Sequence, residues 1–231
     1  MSCLILGEVY PLFNKKIEVD PKWQKTSFKF IINSTIFLLI GVSDLYIVEI
    51  VAHNEVYVDQ FSAILSISGI IWLLTNAIYS FISARISALI KNKRTKQLQH
   101  LINSANTTSV ILVSIVFIIL LLFGKIILSF FGKEYAVTHA YIAFIITITG
   151  YYIGIFSRSA TLLLSYSDNL NHIIWNGILE WSALLILGTL LTIKYNIIGI
   201  ASASTIAISI KTIHAVILTR YKLKLKPLTI L

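Results

Sequence analysis

Five ionisable residues lie well inside long apolar stretches of this chain, where they could bind or exchange charge. They are Asp44, Arg158, Glu180, Lys211 and His214. A charge inside lipid is costly, and it usually has either a partner or a function. A carboxylate could bind a coupling cation, whereas a guanidinium or an ammonium group could bind phosphate. These are the first positions at which the sequence suggests chemistry.

The stretches that hold these residues are long enough to cross a membrane. Each has about twenty apolar residues, and a helix of that length crosses a hydrocarbon core of roughly 30 Å. Hydrophobic residues make up 57% of the 231 residues and charged residues only 13%, which argues against a soluble domain. The sequence predicts an all-α membrane protein, a bundle of six transmembrane helices over residues 30–51, 61–83, 107–128, 141–162, 173–193 and 198–218.

The basic residues are sorted by the predicted side of the membrane. Fourteen lysines and arginines precede the first span, connect spans two and three, or follow the last span, and only three lie in the opposite connections or at the adjoining end of a span. The positive-inside rule therefore predicts a multi-pass protein with both termini in the cytoplasm, and we expect it in the cell inner (plasma) membrane. We expect a basic N-terminal segment (1–29), the bundle (30–219) and a basic tail (220–231). The net charge of +9 reflects this topology, so nucleic acid is not an expected partner.

Glu180 and Lys211 are predicted to lie at the same depth. Each lies about eight residues from the cytoplasmic end of its span, roughly 12 Å at 1.5 Å per residue. Tyr195, Asn196 and Gly199 indicate a short turn that makes spans five and six antiparallel neighbours. One interpretation is a structural ion pair. The other is that Lys211 offers its ammonium group to a phosphate while Glu180 holds or releases it.

The other three residues also allow more than one interpretation. Arg158 could extend its guanidinium to the membrane surface, or it could bind a pyrophosphate. Asp44 has no basic residue at its depth, so it could hold a coupling ion, face a water-filled cavity or carry a proton. His214 shares a helix face with Lys211, and we interpret it as a hydrogen-bonded side chain rather than a proton carrier.

No catalytic or metal-binding pattern accompanies these charges. The sequence has no glycine-flanked nucleophile motif and no glycine-rich phosphate loop before a lysine, and we expect no two carboxylates to face one pocket. The one cysteine, Cys3, cannot form an intramolecular disulfide, and no histidine or cysteine cluster has metal-ligand spacing. We therefore predict no enzyme, no cofactor and no metal site.

Two further patterns concern helix packing. Gly150 and Gly154 have the G-x-x-x-G spacing that can mark a self-association face. Residues 91–103 are polar, with a narrow apolar stripe that includes Leu98 and Ile102. We expect them to form either a short helix along the inner leaflet or a solvated connection.

The order of several segments resembles a known family. Residues 84–89, Ala-Arg-Ile-Ser-Ala-Leu, followed by a basic run that contains glutamine, are similar to a segment of polysaccharide flippases of the O-antigen (Wzx-like) and teichoic-acid export type. Residues 121–136, residues 195–203 and Asp44 in the first span resemble further segments of these flippases. They belong to the multidrug/oligosaccharidyl-lipid/polysaccharide exporter superfamily, and the resemblance covers about residues 28–225.

This resemblance implies a fold and a function. Family members usually have two six-helix halves, between which a lipid-linked sugar crosses the membrane, and this chain resembles the C-terminal half of a twelve-helix, MATE-like flippase. It implies a half-transporter for a lipid-linked oligosaccharide or polysaccharide precursor, with a cationic cavity. The partners would be the lipid bilayer, the lipid-linked saccharide and a second half, which is either another copy or a separate N-terminal half. The implied candidates are Arg158, Lys211 and Arg85 for the lipid pyrophosphate, and Asp44, Glu180 and His214 for a coupling ion or a structural ion pair.

Two other functions are compatible with the same residues. The chain could be a non-transporting membrane scaffold or a truncated gene remnant. It could also be half of a cation-coupled drug antiporter, in which Asp44 and Glu180 carry cations.

Overall fold

Long helices account for most of the structure. The computed structural model describes residues 21–167 and 169–227, and within these ranges there is no strand. Most of the predicted N-terminal segment (residues 1–20) and the last four residues of the tail lie outside the described part. All five long helices are apolar enough to cross a membrane, which confirms the expected all-α membrane class. They are α1 (Pro21–Ile47), α2 (Glu55–Lys91), α3 (Thr95–Ser129), α4 (Thr138–Tyr166) and α5 (Leu170–Leu223).

α1 begins at Pro21, inside the segment predicted to precede the membrane. Proline suits a first helical turn because the amide hydrogen it lacks would have no helical acceptor there. A π-helical turn, Val48–Ala52, extends α1, and His53 follows in the left-handed conformation with φ 49°. Asn54 then caps α2 by accepting a hydrogen bond from the Val56 amide at 3.0 Å. Although this connection is short, α1 packs mainly on α5 and barely contacts α2.

α5 is folded back on itself at Asn196, whose φ of 48° and ψ of −127° are not helical. The break separates two arms, α5a (residues 170–195) and α5b (residues 197–223). Residues at similar distances on either side of the break contact each other, as Glu180 does with Lys211. The arms are therefore antiparallel, and the break lies where the sequence predicts a turn.

Small residues bring α4 and α5b together. A Cβ atom at Gly150 would lie 2.6 Å from Thr205 Oγ1, and one at Gly154 would lie 3.3 Å from Ile208. Thr205 also donates a hydrogen bond to the Ile146 carbonyl at 2.9 Å. The G-x-x-x-G pattern thus packs α4 against another helix of the same chain, rather than against a second copy.

The polar segment before the third predicted span is part of α3, which runs unbroken from Thr95 to Ser129. Its 35 residues correspond to about 52 Å, more than the thickness of a hydrocarbon core. Leu98 and Ile102 are only 3% and 1% exposed, because they pack against α2 and α4. The separate helix expected along the inner leaflet is therefore wrong, since the apolar stripe faces protein rather than lipid.

The bundle has two distinct ends. The basic end, as we call it, carries the α2–α3 connection and residues 224–227, whereas the opposite end carries the α1–α2 connection and the break at Asn196. The largest cluster of buried apolar side chains lies towards the opposite end and includes Val48, Phe61, Leu128, Phe144 and Ile197. A smaller cluster at the basic end joins α2, α3 and α4. α1 and α5 form one group of helices and α2 and α3 another, with α4 in contact with both.

Candidate functional site

A cavity of about 440 Å³ lies between the two groups of helices. It is lined by α1, α2, α4, α5a and α5b, and no α3 residue is among its described lining residues. Each helix contributes positions three or four residues apart, which is the spacing of one helix face. On α1 these positions are Asn33, Ile36, Phe37, Ile40, Gly41 and Asp44.

Four of the charged residues singled out from the sequence line this cavity. They are Asp44, Arg158, Glu180 and Lys211. The expectation that no two carboxylates face one pocket is wrong, because α1 and α5a both turn a carboxylate towards the cavity. The four formal charges cancel, so this lining differs from the cationic cavity that the family resemblance implies.

Glu180 and Lys211 form an ion pair across the α5 arms. Lys211 Nζ lies 2.7 Å from Glu180 Oε2, and the two side chains are 25% and 6% exposed, respectively. Because Glu180 is almost fully buried, solvent screens the attraction between them less than it would at the protein surface. An ammonium group has three donors, so the exposed part of Lys211 can also serve a ligand in the cavity.

Asp44 accepts a hydrogen bond from a residue of α5b. The Ser204 hydroxyl donates to Asp44 Oδ1 at 2.6 Å, and both residues are buried. Ser43, the preceding residue, donates to the Leu39 carbonyl at 2.6 Å and accepts from Trp181 Nε1 at 2.9 Å. Two adjacent residues of α1 are thus attached to both arms of α5.

Two buried donor atoms of cavity-lining residues have no acceptor among the described residues. They are Arg158 Nε and Asn76 Nδ2. Buried donors in proteins are almost always hydrogen-bonded, either to protein or to water or a ligand. A guanidinium and an amide that line one cavity suit a ligand rich in acceptor atoms, such as a phosphate.

Two of the predicted residues lie outside the cavity lining. The His214 Nδ1 atom is 2.9 Å from Asn176 Oδ1, and it is Asn176 that lines the cavity. His214 is therefore a hydrogen-bonded side chain that lies behind Asn176, outside the described lining of the cavity. Arg85 is exposed on α2 and is not among the described lining residues.

Sequence reasoning missed the uncharged polar lining. Asn33 and Asn176 face the cavity, and each lies on the same helix face as a carboxylate, three turns before Asp44 and one turn before Glu180. This spacing was the available signal, because polar residues that share a face with a buried charge mark the side away from lipid.

An aromatic pair closes the side of the cavity where α1 and α2 approach each other. The rings of Phe37 and Trp72 are stacked, with centroids 5.7 Å apart and planes at 21°. Both side chains are also substantially exposed, at 49% and 40%. We call the boundary between α1 and α2 at this pair the α1–α2 seam.

Comparison with known proteins identifies a shared fold. No family model and no curated protein sequence matches the chain. A solved structure described as the outward-facing conformation of a multidrug resistance MATE family transporter of the MOP superfamily is similar to it, with a TM-score of 0.66 and 18% identity. The similarity covers 91% of this chain and 47% of that one, so the chain spans about half the length of the transporter. The bundle therefore has the fold of about half of a MATE family transporter.

Proposed function

We propose that this chain is one helix bundle of a membrane transporter for an anionic amphipath, specifically a lipid-linked saccharide. The observation that carries the proposal is the presence of two buried donors without acceptors, Arg158 Nε and Asn76 Nδ2, in the cavity that also holds Lys211. The shared fold with half of a MATE family transporter favours transport over catalysis.

The phosphate of such a ligand binds between Arg158 and Lys211. The planar guanidinium can donate two parallel hydrogen bonds to phosphate oxygens, and the ammonium group supplies a second positive charge. Lys211 then shares its charge between the phosphate and Glu180. Because a buried carboxylate without its partner is costly, phosphate binding favours movement of Glu180 away from its buried position.

The size of the cavity sets which part of the ligand it holds. A volume of about 440 Å³ is in the range of sites for small molecules. It accommodates a phosphorylated sugar head group but not a long polyprenyl chain. The polyprenyl tail of the ligand would leave the cavity through the α1–α2 seam, where Phe37 and Trp72 offer apolar surface next to lipid.

The proposed assembly has six crossings per chain and a second bundle. α1 to α4 each cross once, and the two arms of α5 cross separately. The basic end faces the cytoplasm of the inner (plasma) membrane. A second copy of this chain, or a separate N-terminal half, packs beside this bundle and leaves the α1–α2 seam open to lipid, in keeping with a chain that covers 47% of the similar transporter.

Native mass spectrometry of the protein in nanodiscs tests this proposal. We expect a complex of two bundles that retains an added polyprenyl-pyrophosphate saccharide. Arg158→Gln should weaken its binding at least about tenfold, the loss of one hydrogen bond between charged groups. Arg85→Gln is the matched control, because Arg85 is exposed and is not part of the described lining.

Each other outcome has a clear meaning. Binding that is equally strong in wild type and Arg158→Gln contradicts the proposed phosphate site. A monomer that retains bulk phospholipid alone contradicts the transporter and favours a non-transporting scaffold.

A cation-coupled drug antiporter is the second candidate. It is favoured by Asp44 and Glu180 in one cavity and by the multidrug transporter whose fold the chain shares. In this case a lipophilic cation such as tetraphenylphosphonium should bind in place of the saccharide. Asp44→Asn should then abolish binding, whereas Arg158→Gln should preserve it.

A further inference from the structure

The chain turns back onto the bundle after its last helix. α5b ends at Leu223, and Lys224 has the left-handed conformation with φ 52° that reverses the direction of the backbone. The next residues pass over the basic ends of α3 and α4, where side chains of these helices bind them. We call residues 224–227 the C-terminal strap.

Side chains of α3 and α4 satisfy the backbone of the strap. Gln99 Nε2 donates to the Lys226 carbonyl at 2.8 Å, and the Lys226 amide donates to Gln99 Oε1 at 2.9 Å. The Pro227 carbonyl accepts from Asn106 Nδ2 at 2.6 Å and from Ser159 Oγ at 2.9 Å. One backbone carbonyl therefore connects α3 with α4.

The side chains of the strap follow the same arrangement. Leu225, with Leu223 before it, packs against the apolar cluster at the basic end, whereas Lys224 and Lys226 are exposed. Pro227 is buried. Apolar and basic residues alternate along the strap, so one side of the strap is buried against the bundle and the other is exposed to solvent. The cluster that receives the leucines consists of Ile86, Leu89, Leu98, Ile102 and Leu163.

The strap also contacts residues that lead to the cavity. Asn106 Oδ1 accepts a hydrogen bond from the Tyr79 hydroxyl at 2.5 Å. Tyr79 is buried. Ser159, which binds the strap, is the chain neighbour of Arg158. The strap is therefore hydrogen-bonded to the chain neighbour of the proposed phosphate-binding residue.

We propose that the C-terminal strap is a latch that holds the basic ends of α3, α4 and α5b together and limits access to the cavity from that end. The strap is attached to α5b, while its hydrogen-bond partners lie on α3 and α4. α3 otherwise makes almost no contact with α5, so the docked strap opposes their separation. The cavity lies between these groups of helices, and its lining reaches Thr161 on α4 and Ile173 on α5a near this end.

Cysteine labelling of the full chain in nanodiscs tests the latch without reference to any substrate. In a Cys3→Ser background, Leu225→Cys reports docking of the strap, and Thr161→Cys reports access to the cavity. Gln99→Ala removes both hydrogen bonds between this side chain and the strap. We expect it to raise the rate of labelling by a water-soluble maleimide at least about fivefold at both cysteines. Gln97→Ala is the matched control, because Gln97 is an exposed glutamine on the same helix.

The two reporters separate docking from access. Faster labelling at Leu225→Cys with an unchanged rate at Thr161→Cys would mean that the strap docks without controlling the cavity, and it would overturn the proposal. Unchanged rates at both sites, or an equal increase in Gln97→Ala, would overturn it as well. If Gln99→Ala fails to accumulate, Lys226→Pro removes the amide donor from the strap side and provides the same comparison.

Discussion

At the residue scale, Glu180 and Lys211 show how a cavity can hold opposite charges. Glu180 is almost fully buried, and its carboxylate lies 2.7 Å from the ammonium group of Lys211. Removing either partner leaves a charge in a poorly hydrated wall. We therefore expect the pair to have a structural role at rest, with the exposed part of Lys211 left available to a ligand.

Charge-removing variants measure the structural part of this role. Glu180→Gln and Lys211→Met should each lower the free energy of unfolding by about 2 kcal/mol, less than a fully buried pair because Lys211 is partly exposed. The double variant should recover most of that loss, since no uncompensated charge is left. Thermal unfolding in detergent and the amount of protein in the membrane measure these effects.

Lys125→Met is the control for this experiment. Lys125 is exposed on α3 and forms no described ion pair, so we expect a change within about 0.5 kcal/mol. A double variant as unstable as the worse single variant would contradict the pairing.

At the element scale, the folding of α5 into two arms depends on a close backbone contact. Asn196 has a positive φ, which asparagine tolerates better than most residues. Three residues later, a Cβ atom at Gly199 would overlap the Leu191 carbonyl group and lie 2.7 Å from the Thr192 amide nitrogen. Because these are backbone atoms, they cannot move aside as a flexible side chain could.

Gly199→Ala should therefore destabilise the protein by about 2 to 3 kcal/mol, the usual cost of overpacking. Gly69→Ala is the matched control, because a Cβ atom there has open space within 4 Å. In a helix this control should be neutral or stabilising by up to about 1 kcal/mol. Thermal unfolding compares the two variants, and equal stabilities would contradict the proposed role of the Gly199 contact.

At the scale of the whole molecule, the charges distinguish the two ends of the bundle. The α2–α3 connection and the C-terminal strap bring the exposed cations of two distant chain segments to the basic end. A surface of this kind favours the side of the membrane that has anionic head groups and is not crossed during insertion. The strap thus adds tail lysines to the surface formed by Lys91, Lys93 and Lys96.

This arrangement predicts opposite accessibility of the two ends in cells. In a Cys3→Ser background, a membrane-impermeant maleimide should label Lys133→Cys in intact spheroplasts. It should label Lys96→Cys only after the membrane is permeabilised. Both lysines are exposed in the structure, so burial would not explain a difference. Labelling in the reverse order would contradict the cytoplasmic placement of the basic end.

The sequence by itself determined the features that depend on neighbouring residues. The length of the apolar stretches identified the membrane class. The predicted turn at Asn196 made the last two spans antiparallel neighbours, and the similar distances of Glu180 and Lys211 from that turn placed them at the same depth. These inferences need only the rise of a helix and a short connection. The helix boundaries were less well predicted, because α1 and α3 continue past the apolar stretches into polar segments.

Only the tertiary structure decided which helix faces meet. α1 packs on α5a rather than on its chain neighbour α2, because Gly177 and Gly188 allow close approach of Ile36 and Ile47. This packing places Asp44 in the same cavity as Arg158 and leaves Arg85 outside the described lining. The position of the strap also depends on a contact between distant segments, because its partner Gln99 is 127 residues from Lys226. Such contacts join segments distant in the chain, so they follow from complementary surfaces that no local pattern records.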